Sequence, residues 1–158
     1  MQNSVIYQKN FSQYIENIKK YKLAIVTANF NKDITHTITE QITKELVNFG
    51  MDKNNIKLIN VAGALEIPYA LKYTSKGYDC LIAVGCVIRG DTYHFEVVCN
   101  QSAYGIQKVS LEQNVPIING ILTVNNKQQA LERINKSQEF AYTAIEMILL
   151  SKGLNHGL

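Results

Sequence analysis

Four short apolar runs punctuate the chain: Leu23 to Ala28, Ile56 to Val61, Cys80 to Val87 and Pro116 to Thr123. Each is nearly continuous in Val, Ile, Leu and Ala rather than alternating with polar residues. That pattern predicts strands covered on both faces, as in a parallel sheet. Helical segments lie between them. From Asp33 to Phe49, apolar residues recur at Ile34, Ile38, Ile42 and Leu46, a stripe of four-residue steps, and Gly50 follows at the expected C-terminal stop. A shorter helix is predicted from Glu66 or Ile67 to about Ser75, with Pro68 in its first turn, where the missing N–H costs little. A third runs from about His94 to Gln113. It sets Val98, Ser102, Gly105 and Val109 on one face, small enough to pack closely on a sheet or a neighbouring helix. The last two span Lys127 to Ile134 and Gln138 to Lys152, the latter carrying Phe140, Ala144, Ile145, Ile148 and Leu149.

Strand and helix therefore alternate, and parallel neighbours joined by right-handed crossovers follow. The expected fold is an α/β three-layer sandwich around a four-stranded parallel sheet in the flavodoxin-like order two-one-three-four. Ser4 to Gln8 is a candidate extra strand, in this sheet or a neighbour's. With no internal repeat, low-complexity tract or linker, residues 1–158 are expected to form a single domain, with 1–20 as an N-terminal extension and 153–158 as a tail.

Composition narrows the function classes. Hydrophobic residues at 46% and charged ones at 18% are globular values. The net charge of +3 is only mildly basic, and the lysines (Lys19, Lys20, Lys22, Lys44, Lys57, Lys72, Lys127, Lys136) are scattered, with no arginine-rich stripe. A nucleic-acid surface needs a concentrated patch, so no nucleic-acid partner is expected. A basic surface still helps to steer an anionic metabolite. Cys80, Cys86 and Cys99 match no zinc spacing and read as small reduced core residues, so no metal is expected. No charged-then-apolar leader begins the chain and no apolar run reaches membrane-spanning length, so a soluble, cytoplasmic protein without membrane contact is expected.

In an open parallel sheet, ligands bind beyond the carboxyl ends of the strands. Ala28-Asn29-Phe30-Asn31, Ala62 to Pro68, Val87 to His94 and Thr123 to Asn126 all fall at that edge. Gly90 permits close backbone approach, and Asp91 or Thr92 can cap the helix that follows, whose unpaired N–H groups suit a phosphate. His94, in the first turn, can move protons near neutral pH. Taken one at a time, these residues have plainer readings: N-caps for Asp91 and Thr92, a surface histidine for His94, a salt-bridge partner for Arg89. Phe30 either packs in the core or stacks on a flat heterocycle whose edge Asn31 bonds. Glu66 near a helix N-terminus also complements the helix dipole. His36 and His156 suggest only solvent-exposed positions.

Taken together, the segments resemble the lumazine synthase family of riboflavin biosynthesis, from about Lys22 to Leu150. The resemblance is carried by Ala64-Leu65-Glu66-Ile67-Pro68 and by Gly85-Cys86-Val87-Ile88-Arg89-Gly90-Asp91-Thr92-Tyr93-His94. Ile121-Leu122-Thr123 and Gln129-Ala130-Leu131-Glu132-Arg133 add to it. The resemblance implies a cofactor-free transferase that condenses a ribitylamino-pyrimidinedione with 3,4-dihydroxy-2-butanone 4-phosphate, giving 6,7-dimethyl-8-ribityllumazine, phosphate and water. It further implies that Phe30 stacks on the pyrimidine and Asn31 contacts it nearby. Ala64, Leu65, Glu66 and Ile67 would hold the ribityl chain and ring, and backbone around Val87 and Ile88 the ring's polar edge. Asp91 and Thr92, joined by Arg133, would hold the phosphate, with His94 the proton shuttle.

The chain departs from the family pattern at several places. Leu65 stands where an aromatic is common and Ala62 where proline is common. Asn119 occupies a place where many members carry an aromatic that reaches the neighbouring subunit's site. Ile134-Asn135-Lys136-Ser137 is shorter than the family's Gly/Lys-rich loop, and Lys136 and Glu139 fall where an active-site lysine and its acid are expected. The family forms homo-pentamers, some assembled into icosahedral shells of sixty chains, and riboflavin synthase is a candidate partner. The shortened loop favours an isolated pentamer. Two other readings compete. A non-catalytic lumazine- or flavin-binding relative is disfavoured because His94, Arg133 and the phosphate loop are present. A signalling receiver domain needs acidic residues where Ala28-Asn29 and Cys86-Val87 stand.

Overall fold

The computed structural model describes residues 11–154; the candidate strand Ser4 to Gln8 and His156 lie outside them. Strands β1 (Leu23–Ala28), β2 (Ile56–Val61), β3 (Cys80–Ile88) and β4 (Ile117–Val124) form one sheet in the order β2-β1-β3-β4. Every neighbouring pair is parallel, β1 registering Leu23 against both Ile56 and Cys80. Around the sheet lie helices α1 (Ile15–Ile18), α2 (Lys32–Asn48), α3 (Ile67–Thr74), α4 (His94–Gln113), α5 (Lys127–Leu131) and α6 (Ser137–Ser151).

The strand pleat divides the core into two sets of residues. Leu23, Ile25, Cys80, Ile82, Val84 and Cys86 face one way and pack with the Ile34, Ile38, Ile42 and Leu46 stripe of α2 and with Ala144, Ile145, Ile148 and Leu149 of α6. Ala24, Val26, Ala28, Leu81 and Ala83 face the other way, onto Ile67 and Leu71 of α3 and Ile106 and Val109 of α4. Removing one such side chain from water stabilises the fold by about 1.5–3 kcal/mol for a Val, Leu or Ile. The second face is built from smaller residues, so α3 and α4 lie close to the sheet and to each other. Gly105 shows how close: a Cβ placed there would sit 2.6 Å from Pro68 Cγ. The small face predicted for α4 is thus a helix–helix contact as well as a sheet contact.

Two expectations are corrected. β2, at the sheet edge as the expected order has it, is not covered on both faces: Leu58, on the side of the sheet that faces α2, is 51% exposed, and among the described residues no strand lies beyond β2. The helix expected from Lys127 to Ile134 stops at Leu131. A short 3-10 turn, Ile134–Lys136, then leads into α6, and Ser137 Oγ donates to the Ile134 carbonyl at the junction. Elsewhere the ends match closely, and Gly50 takes a left-handed φ of 107° just past α2.

A candidate active site at the ends of three strands

The order β2-β1-β3 brings the loops after these three strands together, with the chain's direction of winding reversing between β1 and β3. Beyond β1, the ladder to β2 continues: Asn29 N donates to the Val61 carbonyl at 2.8 Å and Phe30 N to the Ala62 carbonyl at 3.0 Å. Phe30 is therefore fixed in its backbone while its ring is 73% exposed, which excludes the core reading. Asn31 is left-handed (φ 55°) at the head of α2, and its side-chain amide donates to the Cys86 carbonyl at 2.8 Å. After β2, Gly63 enters the turn Ala64–Glu66, closed by Glu66 Oε2 accepting from Gly63 N at 2.9 Å. After β3, Arg89 N donates to the Val124 carbonyl at 2.9 Å, and Gly90 to Tyr93 lead into α4 at His94. The N-cap position of α4 is Tyr93, with no side-chain cap bond, rather than the expected Asp91 or Thr92; Thr92 Oγ1, one residue earlier, accepts from His94 N at 3.4 Å.

These loops enclose a cleft of about 360 Å³, within the range of small-molecule sites. Ala28, Cys86, Val87 and Val98 supply apolar wall, Phe30 and Phe95 two aromatic rings, and Glu66, Thr92 and His94 the polar groups. Leu65, Ile88, Ala64, Gly63 and Gly90 complete it. An aromatic shelf and an imidazole from different strand ends thus share one cavity. The Cys86 thiol is not a nucleophile here: burial, reinforced by the charge of Asp33, pushes it up to about 11. Cys80, fully buried, is pushed higher still by burial and by Asp79. Among the described residues no group of three His, Cys, Asp or Glu could hold a metal ion, and no helix is long and apolar enough to cross a membrane.

Six other residues predicted for the site lie off the cavity wall. Asn31 is spent on Cys86. The Ile67 side chain is fully buried among Leu71 and Ile106, so it supports the turn from beneath. Asp91 is exposed outside the cleft. Asn119 is exposed on β4, its Oδ1 accepting from Ile121 N at 3.1 Å. Arg133 Nη1 donates to the Gln129 carbonyl at 2.9 Å, and Lys136 lies 3.9 Å from Glu139. The sequence reading missed Phe95 as a wall residue; an aromatic beside a histidine in a helix's first turn was the available signal. His36 is half-buried rather than solvent-exposed, its Nε2 3.1 Å from Asn29 Oδ1.

A family model described as 6,7-dimethyl-8-ribityllumazine synthase matches residues 20–152. An enzyme of that name from Albidiferax ferrireducens is 45% identical over 134 residues, 83% of this chain and 85% of the relative. Those from Polaromonas sp. and Paracidovorax citrulli are each 43% identical, over 82% and 87% of this chain and 86% and 91% of their own lengths. The match runs through all four strands and every loop of the cleft. The chain belongs to the 6,7-dimethyl-8-ribityllumazine synthase family.

Proposed function

We propose that the cleft condenses 5-amino-6-(D-ribitylamino)uracil with 3,4-dihydroxy-2-butanone 4-phosphate to 6,7-dimethyl-8-ribityllumazine. The observation that carries this reading is that Phe30 and His94 line one cavity of about 360 Å³. The pyrimidine lies against Phe30, with the backbone of Val87 and Ile88 at its polar edge and Ala64, Leu65 and Glu66 along the ribityl chain. Asn31 and Ile67 act from behind the wall, holding the two loops in place. Its 5-amino group forms an imine with the ketone, releasing water. Phosphate then leaves, and the ring closes with loss of a second water. Thr92 and Asp91 at the start of α4 hold the phosphate, where N–H donors stabilise the charge that grows as it departs. His94 carries the protons. Joining two substrates, the site gains most from holding them side by side. No cofactor is needed.

Asn119, Arg133 and Lys136 serve the cleft of an adjacent copy in a homo-pentamer, with Arg133 meeting its phosphate. That placement is supported by their absence from the wall of this chain's own cleft. The short turn at Ile134–Lys136 favours the free pentamer over a shell of sixty chains. The whole chain, 1–158, acts as one domain in the cytoplasm, and riboflavin synthase is the partner that would take its product. Mixing the protein with both substrates and following lumazine absorbance and fluorescence tests the reaction. Product with equimolar orthophosphate is expected; binding of the pyrimidine without turnover would establish the non-catalytic alternative.

A further inference from the structure

Arg89 stands at the end of β3, next to the cleft but outside its wall. Its guanidinium makes three contacts at once. Nε donates to Asn125 Oδ1 at 3.1 Å, Nη1 pairs with the Glu96 carboxylate, and the carbon centre lies 4.2 Å from the centroid of the Phe95 ring. The pairing holds the Glu96 carboxyl below its ordinary range. Asn125 is held in turn, its N–H donating to Gln129 Oε1 at 2.8 Å. One planar cation therefore ties the first turn of α4 to the loop after β4 and presses Phe95 into the cavity wall. His94 and Thr92 belong to that same turn.

The geometry points to Arg89 as a positioning residue that sets where the His94 imidazole and the helix start stand in the cleft. This rests on the condensation proposed above. A forked guanidinium reaches two acceptors and a ring face together; an ammonium does not. Besides the backbone bond from Arg89 N to the Val124 carbonyl, the loop after β3 has one long side-chain hydrogen bond, from His94 N to Thr92 Oγ1, and a Cβ at Gly90 would meet nothing within 4 Å.

The test combines kinetics with amide exchange on Arg89→Met, Arg89→Lys and Asn125→Ala. Wild-type turnover is measured first; its absence would sink the condensation reading and leave the clamp to the exchange arm. Arg89→Met is expected to lower kcat on the order of 10- to 100-fold, the cost of misplacing a reacting group by about 1 Å. The pyrimidine KM should move less than about threefold, because the Phe30 side of the cleft is untouched. Arg89→Lys should recover only part of the rate. In a His94→Asn background, Arg89→Met should add little, because both act through one group. Amide exchange should quicken in residues 94–98 and not in the rest of α4. Should Arg89→Met fail to fold, Asn125→Ala removes one arm of the clamp and should show a smaller loss of the same kind. Wild-type kcat in Arg89→Met, full additivity with His94→Asn, or exchange quickened along all of α4 would overturn the assignment.

Discussion

The Asn31 side chain and the Cys86 carbonyl, 55 positions apart, are joined by a hydrogen bond of 2.8 Å that ties the loop after β1 to the end of β3. Asn31 also holds a left-handed backbone with φ 55° and ψ 48°. Asparagine tolerates that conformation better than most residues. Asn31→Ala loses the bond and keeps the awkward backbone; Asn31→Gly loses the bond and relieves the backbone. The alanine variant should therefore be the less stable, by about 1–3 kcal/mol relative to wild type. Both should weaken pyrimidine binding to a similar degree. Calorimetric unfolding and a binding titration check the two halves separately.

Gly105 and Pro68 set the approach of α4 to α3. A methyl group at 105 would lie 2.6 and 2.8 Å from two ring carbons of Pro68, which cannot swing aside. Gly105→Ala should cost about 1–3 kcal/mol through overpacking, despite alanine's better helix propensity. Since α4 carries His94 and Pro68 follows the Ala64–Glu66 turn, activity should fall as well. Thermal unfolding with steady-state kinetics measures both.

The cysteines differ in burial, and their reactivity should differ with it. Cys80 and Cys86 are buried, Cys99 half-buried. Cys99 should alkylate first at pH 8. Cys86, pushed up to about 11, should stay unmodified until the protein unfolds. The linkage has a definite sign. A thiol whose ordinary value is 9.0 and whose folded value is raised binds its proton more tightly in the native state. Its contribution is fully present below pH 9 and is lost as pH rises through about 11. Stability should therefore fall across that alkaline window, and fall less in Cys86→Ala. Mass-resolved alkylation and pH-dependent chemical denaturation test this.

Sequence pattern carried most of the fold because the apolar runs that make β1 and β3 are buried, β1 throughout and β3 from Cys80 to Cys86. It overreached at β2 in expecting cover on both faces: the expected order rightly set β2 at the sheet edge, but its run of apolar residues does not record how much of each face a helix covers. The end of the Lys127 helix was misplaced for a related reason. Lys127 to Ile134 is compatible with a continuous helix, but the chain leaves it at Leu131 and turns through Ile134–Lys136, where Ser137 Oγ donates to the Ile134 carbonyl. Within the site, Phe30, Glu66, Thr92 and His94 were legible because peculiar residues stood at strand ends. Arg89 was legible as a salt-bridge partner, and it pairs with Glu96; Phe95 in the wall, Asn125 and the other two contacts of Arg89 were missed. Phe95 had a local signal in its place beside His94, but the contacts of Arg89 with Asn125 and the Phe95 ring depend on which side a helix turn presents to a loop 30 residues later, which no local pattern records.

Asn119, Arg133 and Lys136 lie away from the chain's own cleft, so the proposed account requires adjacent copies. Sedimentation should give a mass near five chains. A monomer with full activity, or a megadalton particle, would contradict that assembly. Arg133→Ala should raise KM for the phosphate substrate while leaving the pyrimidine KM near wild type.

The proposed reaction places His94 beside the Phe30 shelf, and steady-state kinetics of His94→Asn test that placement most directly. Turnover should drop about 10²–10⁴-fold, the usual contribution of a placed general acid–base, with the pyrimidine KM nearly unchanged. Wild-type turnover in His94→Asn would contradict the account.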